Sequence, residues 1–392
     1  MIAAVLIFAS VAVCSGVIVA MLIRLAHGKS WYDRTSERRV HSGNVPRLGG
    51  LGFAPVFMVA AAVIMVLREN GDPLRLAPVL AGICVIVFFG VWDDFRPLRP
   101  WVKMLAQIGA ALCVVVPGYV FGSFALPGGD FLSRVPWLAH AVTLLWLVGM
   151  TNAVNLLDGV DALAGGVSFM AALTFAYVFF GLSGPGLSQV AVLCVVLAGS
   201  VAGFLVFNAP VPKARIFMGD GGSQFLGFVL ALLPLIKERY SDAALPVLYA
   251  AAVLAIPIFD TSAAVWRRIR DGKPLGSPDR SHVHHKLMNL GLDARKTGAA
   301  LFGLQAVVSA LVIASLKLAE RRPDGWRPDG WRPGEWRPGE WRPLAVLALA
   351  YVAALAFFTA LHFMNRRRTA AVPETPPPPP GDQSAKTARS EK

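Results

Sequence analysis

Apolar runs about 20 residues long recur from one end of this 392-residue chain to the other. That is the length a helix needs to cross the hydrocarbon core of a bilayer. The alternating apolar and polar residues of a barrel strand are absent. A mean hydropathy of +0.57 and 55% hydrophobic residues exclude an ordinary soluble globule. The chain therefore reads as an all-α integral membrane protein with about eleven transmembrane helices, at 2–23, 48–67, 76–92, 101–121, 137–152, 161–181, 187–207, 221–236, 244–264, 297–318 and 344–363. No basic residue precedes the first run and no clear small-residue cleavage site follows it, so it reads as a retained helix. Cys14, Cys84, Cys113 and Cys194 lie inside the runs without metal-type spacing and are expected to be small buried hydrophobes.

Charge gives an expected orientation. With the N-terminus outside, the inner loops and tail hold 25 of the 37 Lys and Arg. The positive-inside rule then puts the C-terminus in the cytoplasm of a plasma-membrane protein. The net charge of +13 suits anionic headgroups and nucleotide phosphates on that face. Nucleic acid is not an expected partner, because the basic residues sit in short loops between spans. The division expected is a transmembrane catalytic domain over 1–318, an extracytoplasmic repeat loop over 319–343, a last helix over 344–365 and a disordered cytoplasmic tail over 366–392. The repeat is two RPDGW units followed by two RPGEW units, whose Pro and Gly forbid a helix; it reads as an expanded linker, with an interfacial Trp/Arg belt or a ligand surface as the functional alternative. The tail is Pro-rich and polar.

Five polar islands interrupt the apolar runs, and the parity of eleven crossings puts all of them on one face. VPRLGGLGF carries Arg47 ahead of glycines that fit a close-packed helix start as well as a binding turn. VWDDFRPLRPWVK ends a span with Asp93 and Asp94, costly at a membrane edge unless used or solvated, and places Lys103 to meet a phosphate. In TNAVNLLDGVDALAGG, Asn152, Asn155, Asp158 and Asp161 recur every three residues, a polar stripe if the segment stays helical. KARIFMGDGGSQFLG sets Asp220 at a glycine turn, where a carboxylate can hold a metal and helix-start N–H groups can face phosphate oxygens; an ordinary N-cap is the plainer reading. SPDRSHVHHKL clusters Arg280, His282, His284 and His285. Without cysteine, and with hard oxygen groups dominating elsewhere, these imidazoles favour phosphate contact over zinc. A transporter is a rival, but it would place acids at the bilayer midplane rather than at span ends. A bare scaffold does not account for the Asn/Asp stripe.

Taken together, DDFRPLRPWVK, NAVNLLDGVDALAGG, FMGDGGSQFLG and DRSHVHHKL, with VPRLGG upstream, resemble the polyprenyl-phosphate N-acetylhexosamine-1-phosphate transferases, in family order over about 41–290. The resemblance implies a ten- or eleven-helix membrane enzyme with a cytoplasmic Mg²⁺ site, Mn²⁺ being the alternative ion. Such an enzyme moves a sugar-1-phosphate from a UDP-sugar to a polyprenyl phosphate and releases UMP. It implies Asp93 and Asp94 as catalytic carboxylates and Asp220 and Asp158 as metal ligands. Arg47, Lys103, Asn152, Asn155, Asp161, Arg280, His282, His284 and His285 would contact substrate. DRSHVHHKL is similar to the UDP-N-acetylglucosamine branch; the phospho-MurNAc-pentapeptide branch, with three consecutive histidines, is the alternative. A homodimer is compatible with the family. Ala162 stands where the family often has glycine, which a helical position tolerates.

Overall fold

The computed structural model describes residues 2–29, 45–68, 77–122, 131–182, 188–209, 213–236, 245–274, 276–277, 279, 281–320 and 341–371. The Trp-Arg-Pro repeat at 321–340, Arg280 and the tail from 372 lie outside these described residues. The described residues fold into helices: α1 Ile2–Lys29, α2 Gly49–Arg68, α3 Ala77–Phe95, α4 Pro100–Val115, α5 Phe131–Arg134, α6 Pro136–Leu157, α7 Leu163–Leu182, α8 Gln189–Asn208, α9 Gly219–Leu232, α10 Val247–Val253, α11 Ala255–Arg270, α12 Val283–Asn289, α13 Ala294–Glu320 and α14 Arg342–Ala371. No strand occurs among them.

Helix starts follow local chemistry. Pro100 and Pro136 open α4 and α6, where a missing N–H costs nothing. Ser188 caps α8 by accepting from Ala191 N at 2.9 Å. Each expected span falls on a helix, but among the described residues seven helices are long and apolar enough to cross a bilayer, or eight counting one bent pair as a span. The protein is multi-pass, while the count of eleven, and the parity drawn from it, are not reproduced. Helix α4, at 16 residues, is apolar but short. Helix α9 is short and enclosed on all sides: it packs on α2, α3 and α6, and its residues from Gly221 to Leu232 are all buried. The expected span at 244–264 is two helices, α10 and α11, meeting at 89°. The break at Leu254 frees backbone carbonyls, and Gln305 on α13 donates to Val253 O at 3.0 Å in compensation. Helix α14 runs six residues past the boundary expected at 365.

Two further expectations change. Of the four cysteines, only Cys194 is buried; Cys14 and Cys84 are exposed on the apolar outer faces of α1 and α3. Lipid-facing positions need an apolar side chain, not an enclosed one, so the sequence pattern was the same for both. Ala162 is not helical: its φ is +62°, in the turn joining α6 to α7. Its N–H donates to Asn208 Oδ1 at 2.9 Å, and Asn208 Nδ2 in turn donates to Ile216 O at 2.8 Å, so the strained turn is tied to the segment ahead of α9. Left-handed alanine is strained, and Ala162→Gly is expected to raise stability by about 0.5–1 kcal/mol in thermal or denaturant unfolding. An unchanged or lower midpoint contradicts this.

Candidate active site

The site is built around the N-terminus of α9. Gly219 has φ +78°, and a Cβ there would lie 2.6 Å from Asp94 Oδ2. This close approach lets Asp94, at the end of α3, accept from Asp220 N at 2.7 Å and Gly221 N at 3.0 Å. The helix start expected to offer free N–H groups to a phosphate therefore spends two of them on Asp94. Met218 is the N-cap residue, so Asp220 is not capping its own helix. The glycines after Arg47 make a close-packed helix start: a Cβ on Gly50 would lie 2.3 Å from Gly222 N.

Asp220 projects from this helix between two cations. Arg47 Nη2 donates to its Oδ1 at 3.2 Å, and Lys103 Nζ to its Oδ2 at 2.9 Å. Lys103 also pairs with Asp93, whose Oδ1 accepts from Leu98 N at 2.7 Å and shapes the α3–α4 turn. An amide chain missed in the sequence supports the same carboxylate from behind. Asn152 Nδ2 donates to Gln107 Oε1 at 2.6 Å, Gln107 Nε2 to Gln224 Oε1 at 3.1 Å, and Gln224 Nε2 reaches Asp220 Oδ2 at 3.5 Å. Gln107 and Gln224 are buried inside an otherwise apolar bundle. A glutamine within an apolar run was the signal that could have found them.

The Asn/Asp stripe is half helix and half turn. Asn152 and Asn155 lie on α6, which ends at Leu157. Asn155 Nδ2 donates to Ser223 Oγ at 2.8 Å, locking α6 to α9. Asp158 and Asp161 sit in the following turn. Burial pushes the Asp158 carboxyl up to about 7; the charges of Asp220, Asp94 and Asp161 add to the effect and Arg47 opposes it. Asp158 receives no side-chain hydrogen bond from any described residue.

The histidine loop closes on this turn. A Cβ on Gly159 would lie 2.4 Å from His284 Nε2, so only glycine leaves room for the ring. Burial and the neighbouring His285 and His282 push His284 down to about 4, which keeps it neutral. Its ring centroid is 4.2 Å from that of His285 and 6.0 Å from that of His282. The structure thus gathers Arg47, Asp93, Asp94, Lys103, Asn152, Asn155, Asp158, Asp161, Asp220, His282, His284 and His285 around the α9 terminus and the 158–162 turn. Among the described residues no three His, Cys, Asp or Glu side chains form a ready-made metal cage. The donor set still fits a hard cation shared with phosphate oxygens and water: Asp93 and Asp220 pair with Lys103, Asp220 also with Arg47, and among the described residues no side chain donates to Asp158.

A multi-pass helical membrane protein with an acidic centre at the start of a buried helix is the class that fold and site define. Residues 76–237 match glycosyl transferase family 4. The chain is 35% identical over 301 residues to a probable undecaprenyl-phosphate N-acetylglucosaminyl 1-phosphate transferase of Bacillus subtilis, covering 76% of this chain and 82% of the relative. It is 33% identical over 282 residues to a decaprenyl-phosphate N-acetylglucosaminephosphotransferase of Mycobacterium leprae, covering 66% and 70%. To an undecaprenyl-phosphate alpha-N-acetylglucosaminyl 1-phosphate transferase of Escherichia coli it is 29% identical over 301 residues, covering 74% and 76%. The chain belongs to glycosyl transferase family 4.

Proposed function

We propose that this protein transfers N-acetylglucosamine-1-phosphate from UDP-N-acetylglucosamine to a polyprenyl phosphate, giving polyprenyl-diphosphate-N-acetylglucosamine and UMP at the cytoplasmic face. The observation that carries the reading is Asp220, braced between Arg47 and Lys103 within electrostatic reach of Asp158, in a chain whose relatives bear that activity in their names. The distribution of Lys and Arg supports the cytoplasmic side.

The residues divide the work. Mg²⁺ at Asp220 and Asp158 would neutralise charge on the diphosphate and on the departing UMP. Arg47 and Lys103 are placed to exchange Asp220 for phosphate oxygens. The acceptor phosphate attacks the sugar-bearing phosphorus; the new O–P bond forms as the bridging P–O bond to UMP breaks. A phosphate monoester has a second pKa near 6, so at neutral pH it attacks mostly as the dianion, and positioning outweighs base catalysis. Asp93 can accept the residual proton through its Lys103-facing oxygen. Both oxygens of Asp94 are engaged by backbone, which fits a supporting role. Neutral His284, with His285, bounds the site as a donor to sugar or phosphate.

Purified protein in detergent, given UDP-N-acetylglucosamine, Mg²⁺ and undecaprenyl phosphate, should release UMP only when all three are present. UDP-N-acetylgalactosamine and UDP-MurNAc-pentapeptide should be poorer donors. Turnover from the pentapeptide alone would move the protein to the other branch.

Asp158 gives the metal a pH signature. Its folded-state value near 7 lies above the ordinary 3.8, so between those values the folded state keeps a proton that the unfolded chain sheds. Metal-free stability from this group is full below about pH 4 and falls as pH rises to about 7. A cation binding the ionised form reverses that loss. The apparent Mg²⁺ affinity in thermal-shift titrations should therefore be about tenfold tighter at pH 8 than at pH 6. Equal affinity at both would remove Asp158 from the ligand set.

A further inference from the structure

Helix α11 turns away from α10 and carries Asp260 to the histidine loop, where both of its oxygens are used. Oδ2 accepts from His282 Nδ1 at 2.9 Å and Oδ1 from Val283 N at 2.7 Å. Asp260 is 3% exposed and His282 5% exposed. A carboxylate only accepts, so Nδ1 carries a hydrogen, and in the neutral ring Nε2 is then the acceptor nitrogen. The His282 ring lies nearly parallel to that of His284, at 6°. The His284 ring in turn fills the space left by Gly159, next to Asp158. An unbroken line of side chains therefore runs from α11 to the acidic turn. Capping α12 requires one oxygen; the bond to His282 is additional to it.

We propose that Asp260 is a positioning residue that fixes the Nδ1–H tautomer of His282 and holds the His282–His284 pair against the 158–162 turn. Carboxylates behind functional histidines do this elsewhere, and the wrong tautomer disables a site whose geometry is otherwise intact. The kinetic part of this proposal rests on the reaction proposed above; the tautomer does not.

Two variants separate positioning from capping. Asp260→Asn can still accept from Val283 N but turns an amide N–H₂ toward His282, demanding an unprotonated Nδ1. Val283→Pro deletes the capping N–H and replaces one buried apolar side chain by a slightly smaller one, at the first position of α12 and after an extended His282 (φ −63°, ψ 160°), where proline is accepted. In ¹⁵N-histidine spectra, with His282 assigned by its loss in His282→Gln, the wild type should show Nδ1–H and Asp260→Asn should show Nε2–H. UMP release should fall about 10–100-fold in Asp260→Asn. It should stay mostly intact in Val283→Pro. Asp260→Asn combined with His282→Gln should be no slower than His282→Gln alone. An Nε2–H wild type overturns the proposal even if Asp260→Asn does not fold. So does a Val283→Pro loss equal to that of Asp260→Asn, or losses that multiply in the double variant. Wild-type protein inactive on UDP-N-acetylglucosamine would sink the reaction and leave the spectra to decide the tautomer.

Discussion

Asp220→Asn is expected to lower UMP release about 10²–10³-fold, the range for losing a charge-stabilising group in a transition state. The thermal midpoint should move little in the absence of Mg²⁺, because the amide oxygen can still accept from Arg47 or Lys103 and neither cation is fully enclosed. The Mg²⁺-dependent rise in midpoint should shrink with the activity. Activity and stability thus part company only if Asp220 holds the cation. Near-normal turnover would remove it as a ligand, and a collapse of stability would make it structural.

Gly219→Ala should do the opposite and damage the fold first. At φ +78° an alanine is strained by about 1–2 kcal/mol. Its Cβ would also stand 2.6 Å from Asp94 Oδ2 and 2.8 Å from Arg47 O. Pushing Asp94 aside strands two buried N–H groups at the start of α9, at a further cost of about 1–3 kcal/mol. A combined loss of about 3 kcal/mol in denaturant or thermal unfolding is expected, with Arg47 displaced and turnover lost even where the variant folds. A midpoint within a degree of wild type would show that Asp94 does not secure α9.

How much of this was legible in the sequence depends on which kind of constraint each residue obeys. Paired acids at 93–94 and the Asn/Asp series at 152–161 stood out because carboxylates and amides are rare beside apolar runs, so their presence alone was informative. Their gathering around one helix end follows from helices that each expected span predicted. The partners were not legible. That Asp94 serves backbone 126 residues away depends on α3 lying against α9, a packing fact no local pattern records. Gln107 and Gln224 passed as incidental polar residues, because an amide chain across three helices has no spacing rule. Ala162 misled for a related reason: side-chain identity favours a helix, while the left-handed turn is tied down by the bond to Asn208, 46 residues away. The 89° break at Leu254 lacks a glycine, and Pro257 follows it by three residues. A long apolar stretch with one proline at its start and one in its interior reads as a single span.

The Asp94 clamp on α9 has a kinetic corollary. A helix end with two of its N–H groups already engaged offers a poorer cradle for an anion, and the carboxylates around Asp220, only partly offset by Arg47 and Lys103, repel bare diphosphate. A cation already seated at Asp220 and Asp158 would lift that repulsion, so the ion should load before the nucleotide, and the nucleotide's apparent affinity should rise with Mg²⁺.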